Sequence, residues 1–418
     1  MKCFNYHCQG ESHKAVDKVC QDYSFSHIND SDVAIAVLSD GHGGNRYFRS
    51  DIGAKYAVEI TAHNVMEFVK NIDETLLVGQ HYVPNNAVQT EIDQNDFQKE
   101  KPIDLAFRQL FGSIISQWQI KIEEHASSNP LSEKEKKQVE EKYQNEFLAG
   151  NCIEKTYGCT LMAYVSTSKY WFAFHIGDGK CISFDENAQW KEPIPWDNRC
   201  FLNKTTSLCD SDALNEFRYC YQGDGEFPIA VFLGSDGMDD SFGEESNLVN
   251  FYVQVVKSLV NDGYDNTVAD ICETLPILSK RGSQDDMSIS CVYNENGISV
   301  ALQKFILWQI SITKAKILSI NNKILDAKEK RSNLETIWTK SNKEKIELRY
   351  AQSDIDRGYA EKQQLVNKMN ILLKECYGDS YSPYVDEVGV SEKQRILKWM
   401  CSDHPFRVYL AWVDATEN

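Results

Sequence analysis

The stretch Val33–Gly44 reads VAIAVLSDGHGG. Val33 to Leu38 is an unbroken run of apolar or small residues, the pattern of a strand covered on both faces. It stops at Ser39-Asp40-Gly41-His42-Gly43-Gly44. A carboxylate at the tip of a buried strand has a fixed backbone and open access to solvent. The glycines leave the main chain free for close approach by a ligand. Hard divalent cations take oxygen ligands, and the Asp40 carboxylate and the Gly41 carbonyl offer two. Taken alone, the stretch reads equally well as a tight turn with a solvated aspartate.

Recurrence separates the two readings. Val231–Gly237, VFLGSDG, is a second apolar strand that ends in Ser-Asp-Gly, and Phe172–Gly179, FAFHIGDG, is a third ending in Gly-Asp-Gly. Gly282–Tyr293, GSQDDMSISCVY, runs the other way, with Asp285 and Asp286 ahead of an alternating strand. Several acidic strand ends point to one shared cation site. In sequence order, DGHGG, GCTLMAYV, HIGDG, GSDGMDD and SQDDMSISCVY resemble the signatures of the metal-dependent protein phosphatases of the 2C type, in a bacterial-like, divergent form. The resemblance runs from about Phe4 to Tyr293.

That resemblance implies an α+β fold: a four-layer α/β/β/α sandwich of two antiparallel sheets flanked by helices. It implies hydrolysis of phosphoserine and phosphothreonine with two, in some members three, Mn²⁺ or Mg²⁺ ions. By matching motif positions, Asp40 bridges two ions, the Gly41 carbonyl binds one, and Asp236 and Asp285 complete their ligands. Asp22 holds metal-bound waters. Asp178, with Asp236 and Asp240, matches a third ion site, and His42 matches the general acid. The match is incomplete. Asp17 stands where many members have the phosphate-binding Arg, so His13, Lys14 or Lys18 is expected to serve instead. Gln21 replaces a frequent Glu, and Asp286, where Asn is common, reads as structural.

The rest of the composition agrees. Oxygen ligands suit Mg²⁺ or Mn²⁺ better than zinc, and no His/Cys cluster has zinc spacing. A formal net charge of -18 over 418 residues argues against nucleic acid as a partner. Thirteen cysteines without a CxxC pair read as reduced thiols of a cytoplasmic protein. Neither a signal peptide nor a membrane span is expected, and no membrane partner.

Charge divides the chain. Residues 1–300 hold 25 Lys and Arg against 46 Asp and Glu, whereas residues 301–375 hold 15 against 9. The expected organisation is a catalytic domain over 1–298, a helical hairpin or coiled-coil extension over 299–376, and a tail over 377–418 with a short helix near Ile396–Met400. Stripes such as Phe305, Ile317, Ile320 and Ile324 need a partner, by self-packing or self-association through residues 301–375. Helices are expected over Arg46–Asn71, Ile103–His125, Leu131–Leu148, Ser246–Val260 and Asn266–Ser279. Val78–Lys101 reads as a loop. Strands over Cys159–Val165, Tyr170–Gly177 and Lys180–Phe184 are expected to form a meander, and residues 190–227 read as irregular. The expected substrate is a phosphorylated protein, the target of a Ser/Thr kinase. The competing reading is an inactive phosphatase-like module that binds phosphoproteins or acts as a scaffold through its helices.

Overall fold

Strand β3 (Ala34–Ser39) is buried along its whole length, as its unbroken apolar run requires. Ile35 and Val37 join a core with Phe107, Phe111, Trp118, Phe172 and Phe174. Ala34, Ala36 and Leu38 join a different core with Met162, Tyr164, Trp171, Val231 and Leu233. One strand thus faces a helix layer on one side and a second sheet on the other. The small alanines leave room for the large Tyr164 and Trp171 rings, which is how facing layers reach close packing.

The computed structural model describes residues 1–83, 101–138, 153–200, 204–337 and 339–384. It divides into two units, Met1–Phe305 and Ile306–Asn418. In the first unit β3 belongs to a six-stranded sheet with β2 (Tyr23–Ile28), β5 (Leu161–Ser166), β6 (Trp171–Ile176), β9 (Arg218–Gln222) and β4 (His81–Tyr82), in the order β2-β3-β5-β6-β9-β4. The other sheet runs β1 (Lys2–Cys8), β11 (Met287–Tyr293), β10 (Ala230–Gly234), β7 (Lys180–Phe184) and β8 (Trp190–Lys191). Every pairing in both is antiparallel. Short helix α1 (Glu11–Ala15) sits between β1 and β2. Helices α2 (Ser50–Asn71) and α3 (Pro102–Ser128) cover the six-stranded sheet, and Trp118 donates its indole N–H to the Gly53 carbonyl at 3.0 Å. Helix α4 (Glu133–Gln138) follows, capped by Ser132, whose Oγ accepts the Glu135 amide. A one-turn helix, α5 (Ala213–Glu216), leads into β9, and α6 (Asp236–Phe242) follows β10 directly. Helices α7 (Glu245–Asn261) and α8 (Tyr264–Arg281) pack on the five-stranded sheet, with Tyr252 stacked on Phe232 at 4.5 Å. This is the expected α/β/β/α sandwich, an α+β fold.

Two expectations are corrected. The three central strands do not form one meander. β5 and β6 pair as a hairpin, but β7 pairs with β10 in the other sheet. The Gly177-Asp178-Gly179 turn therefore crosses from sheet to sheet. β6 finds its second neighbour in β9, inside the segment read as irregular. The loop residues 84–100, most of the helix expected to Leu148, and the tail helix near Ile396–Met400 lie outside the described residues.

Helix α9 (Glu295–Glu335) begins within the first unit. Ile298, Ala301 and Phe305 are buried there, and Phe305 meets Phe184 edge-on at 5.3 Å. Lys304 donates to the Glu186 carbonyl at 2.9 Å. In the second unit the rest of α9 runs antiparallel to α10 (Asn342–Tyr377). A Cβ on Gly358 would lie 2.6 Å from the Ile324 side chain, so the helices touch closely there. Arg331 bonds Gln352, and Lys328 lies over the Tyr359 ring at 5.2 Å. Ser341 and Glu344 form a reciprocal cap at the start of α10. Among the described residues no helix is long and apolar enough to cross a membrane.

Candidate functional site

The strand ends meet because of register. Leu161 of β5 pairs with Ile176 of β6, and Leu38 of β3 pairs with Met162, so Asp40 and Asp178 leave the six-stranded sheet side by side. Gly234 of β10 pairs with Ile289 of β11 and with Lys180 of β7, which brings Asp236 and Asp285 to the same end of the other sheet. A cleft of ≈ 80 Å³ opens between them. Asp40, Gly41, His42, Gly43, Asp178, Asp236, Asp285 and Asp286 line it, together with Thr160 and Thr205. Pockets for drug-sized ligands run to roughly 300 Å³ or more, so this one suits small ions and waters around a phosphoryl group.

The main chain at Asp40 is fixed by β5. Its N–H donates to Thr160 Oγ1 at 3.0 Å, and its carbonyl accepts the Thr160 N–H at 2.8 Å. Gly41 is required by close approach, because a Cβ would sit 2.6 Å from the Gln21 carbonyl oxygen and 2.8 Å from that of Ser50. Gln21 is buried, and its side-chain amide donates to the His42 and Tyr47 carbonyls and to Ser50. It ties the DGHGG loop to α2, so its role here is structural.

The aspartates strain against one another. Burial, then the charges of Asp22 and Asp236, push Asp40 well above the usual carboxylate range. Burial raises Asp236 to about 6, with Asp178, Asp285 and Asp240 adding to the rise. Asp178 is raised by burial and by Asp240, against a hydrogen bond from Thr205. Asp22 does not line the cleft. It lies buried beneath it, raised by burial and by Asp286 against the hydroxyls of Ser288 and Ser235, which approach its carboxylate without reaching full hydrogen-bond geometry. Buried carboxylates this close are stable when a cation sits among them or when they take up protons. The buried carboxylate of Asp22 and a lining dominated by carboxylates fit hard divalent ions.

Asp286 differs from its neighbours. Its Oδ1 accepts the Gly10 N–H and its Oδ2 the Gln21 N–H, both at 2.6 Å, and His13 Nδ1 lies 2.9 Å away. Burial opposes its ionisation, but the His13 bond and the two amides outweigh it and hold Asp286 below the usual range. It is a clamp between β11 and the chain entering β2.

The three expected substrate groups separate. His13 is engaged by Asp286, with Asp285 3.8 Å from its other nitrogen; ligand atoms of these three lie within 4.8 Å of one another. Lys14 pairs with Glu11 at 3.7 Å on its own helix. Lys18 instead donates to a main-chain oxygen at the cleft, the Gly43 carbonyl, at 2.8 Å. Burial lowers its pKa, against the pull of Asp286 and Asp285.

His42 Nε2 lies 2.7 Å from Ser207 Oγ. That hydroxyl donates to the Cys159 carbonyl at 3.0 Å, which leaves His42 as donor to Ser207. Burial takes His42 down to about 4, with Arg46 and Lys155 adding to the fall against Asp210. Thr160, Thr205 and Ser207 were missed by sequence reasoning. Thr160 stands in GCTLMAYV, where it invited attention; Thr205 and Ser207 lie in a segment without period.

The protein phosphatase 2C family model matches residues 9–273. Among solved structures, a bacterial serine phosphatase is similar at 13% identity and a TM-score of 0.41, over 71% of this chain and 99% of that one. The S. agalactiae serine/threonine phosphatase gives 15% and 0.39, over 70% and 98%. Serine/threonine phosphatase Stp1 from Staphylococcus aureus gives 14% and 0.41, over 71% and 95%. No curated protein matches the sequence. The match covers well over half of the chain, and on that ground the chain belongs to the protein phosphatase 2C family, whose enzyme class is the protein serine/threonine phosphatases.

Proposed function

We propose that this chain hydrolyses phosphoserine and phosphothreonine in proteins, using Mn²⁺ or Mg²⁺. The observation that supports it most is the convergence of Asp40, Asp178, Asp236 and Asp285 on one cleft above the buried carboxylate of Asp22. Asp40, the Gly41 carbonyl, Asp236 and Asp285 would hold two ions, Asp178 with Asp236 a further one, and Asp22 the water around them. When bound, such ions neutralise phosphoryl oxygens and supply a strong nucleophile at neutral pH.

The chain's own residues do the rest. Thr160 fixes the backbone that carries Asp40. Lys18, at the Gly43 carbonyl, places a cation at the rim for the phosphate oxygens, in place of the Arg that Asp17 replaces. His13 and Lys14 are already engaged by carboxylates, so Lys18 is the better placed of the three. His42 is neutral in the free chain. It serves as proton donor to the leaving oxygen only when a bound phosphate dianion raises its pKa.

The test is phosphate release from a phosphothreonine peptide. Release with added Mn²⁺ or Mg²⁺, and none after chelation, is expected. Full release after exhaustive chelation contradicts the reading. No release under any metal condition leaves the binding-module reading in its place.

A further inference from the structure

The turn that carries Asp178 is held almost entirely from outside the two strands it joins. Gly177 has φ +128°, and a Cβ there would lie 2.5 Å from the Thr160 Cβ. Its N–H donates to Thr206 Oγ1 at 3.0 Å. Its carbonyl accepts from the Arg218 guanidinium at 2.6 Å and from Cys200 Sγ at 3.3 Å. Both polar groups of Gly177 are therefore held by residues after Phe184, in the segment that leaves β8 and returns as β9. Thr205, next to Thr206, hydrogen-bonds Asp178 itself.

These holders are joined by one buried carboxylate. Asp197 is 4% exposed. It accepts Thr206 Oγ1 at 3.3 Å, binds both arms of Arg199, and lies 3.5 Å from Arg218 Nε. Arg218 also donates to the Pro195 carbonyl at 2.7 Å and meets His175 Nδ1 at 3.2 Å. The arrangement thus spans Pro195 to Thr206, β9 and the end of β6, and it converges on a single peptide.

We infer that Arg218 and Thr206, linked through Asp197, are positioning residues for Asp178: they set where its carboxylate points, and so the strength of the cation site that Asp178 serves. This rests on the reading of Asp178 as a metal ligand. The hydrogen-bond partners behind a metal-binding carboxylate typically change metal affinity by about 10–100-fold when removed. Asp40 and Asp285 hang from other strands and do not depend on this network. The effect is therefore confined to one ion.

The experiment is calorimetric titration of the full chain with Mn²⁺, beside thermal melting. Asp178→Ala defines the binding step that depends on Asp178. Arg218→Lys keeps the charge but not the planar fork that reaches both Gly177 and Pro195. Thr206→Val removes the hydroxyl at nearly constant shape, and Thr206→Ser restores it. Arg218→Lys and Thr206→Val are expected to weaken that same step about tenfold or more, with the tighter steps and the melting temperature retained. Thr206→Ser is expected to behave as the unaltered chain. If Asp178→Ala removes a step that Arg218→Lys and Thr206→Val leave untouched, the positioning role is wrong and the metal reading stands. If those variants weaken all steps together, or lower the melting temperature without a selective effect, the network is merely structural and the inference fails. If Asp178→Ala itself changes no step, the reading of Asp178 as a ligand is what fails.

Discussion

Lys18 shows how a side chain's neighbours decide its use. His13 and Lys14 share its turn, but the carboxylates of Asp286 and Glu11 occupy them, whereas Lys18 bonds the main-chain carbonyl of Gly43 at the cleft. Lys18→Met keeps the aliphatic stem and removes the charge. A charged hydrogen bond is worth roughly 1.5 kcal/mol or more, so KM for a phosphopeptide should rise about tenfold. Mn²⁺ binding should not change; steady-state kinetics beside a metal titration checks both, and an unaltered KM would remove Lys18 from the substrate site. Asp236 and Asp178 divide in the same way. Asp236→Ala is expected to abolish tight Mn²⁺ binding, and Asp178→Ala to slow turnover while tight binding survives. Equal loss in the two variants would show that their roles are not separate. Asp40, Asp178 and Asp236 were legible because each stands beside glycine at the end of a strand, and Asp285 because it stands just ahead of one. The pairing of His13 was not, because Asp286 lies 273 positions away in the chain. Lys14 with Glu11 is a local helical pair, visible in principle from spacing.

At the scale of elements, hydrophobic period found strands and helices but not their partners. β5, β6 and β7 look alike in sequence, all strongly apolar, and nothing in that pattern says that β7 changes sheets. The Gly-Asp-Gly turn makes the crossing, and this places its aspartate between the two sheets. β9 was missed because RYCYQ lies among irregular aromatic residues whose contacts form only after folding. The start of α9 was placed close to the observed end of β11, yet its first turns belong to the sandwich. Phe305→Ala, at 0% exposure beside Phe184, should cost about 3–5 kcal/mol in denaturant unfolding of the first unit. A cost below about 1 kcal/mol would mean that α9 is not part of that core. A pH effect belongs to this scale too. Burial raises the Glu135 carboxyl, but hydrogen bonds from Arg49 and Ser132 outweigh it and bring it down to about 2. A depressed pKa gives stability that is present above the unfolded value and lost as pH falls toward the folded one. The melting temperature of Glu135→Gln should therefore lie below that of the unaltered chain at neutral pH. The gap should close between about pH 4.5 and 2. A gap independent of pH would contradict the ion pair between α4 and the start of α2.

Across the whole molecule, charge is the dominant fact. The sandwich is more negative than the whole chain's -18, because the basic residues of 301–375 offset part of its charge, and its cleft concentrates carboxylates with raised pKa values. Such a field draws in cations and repels a free phosphate dianion. Phosphopeptides flanked by Lys or Arg should therefore show lower KM than acidic ones of equal length. The difference should shrink as added salt shortens the Debye length from about 10 Å at 0.1 M toward about 3 Å at 1 M. An equal KM for both peptides at low salt would count against steering by the fold's charge. The central claim is that the converging aspartates are a cation site that powers phosphate release. Its most direct test is the number of Mn²⁺ ions bound per chain, measured with phosphate release on the same samples, for the unaltered protein and for Asp40→Asn. The expected result is at least two bound ions with metal-dependent release in the first, and loss of both bound ions and release in the second. An Asp40→Asn chain that binds the same number of ions and still releases phosphate at the unaltered rate would contradict the account.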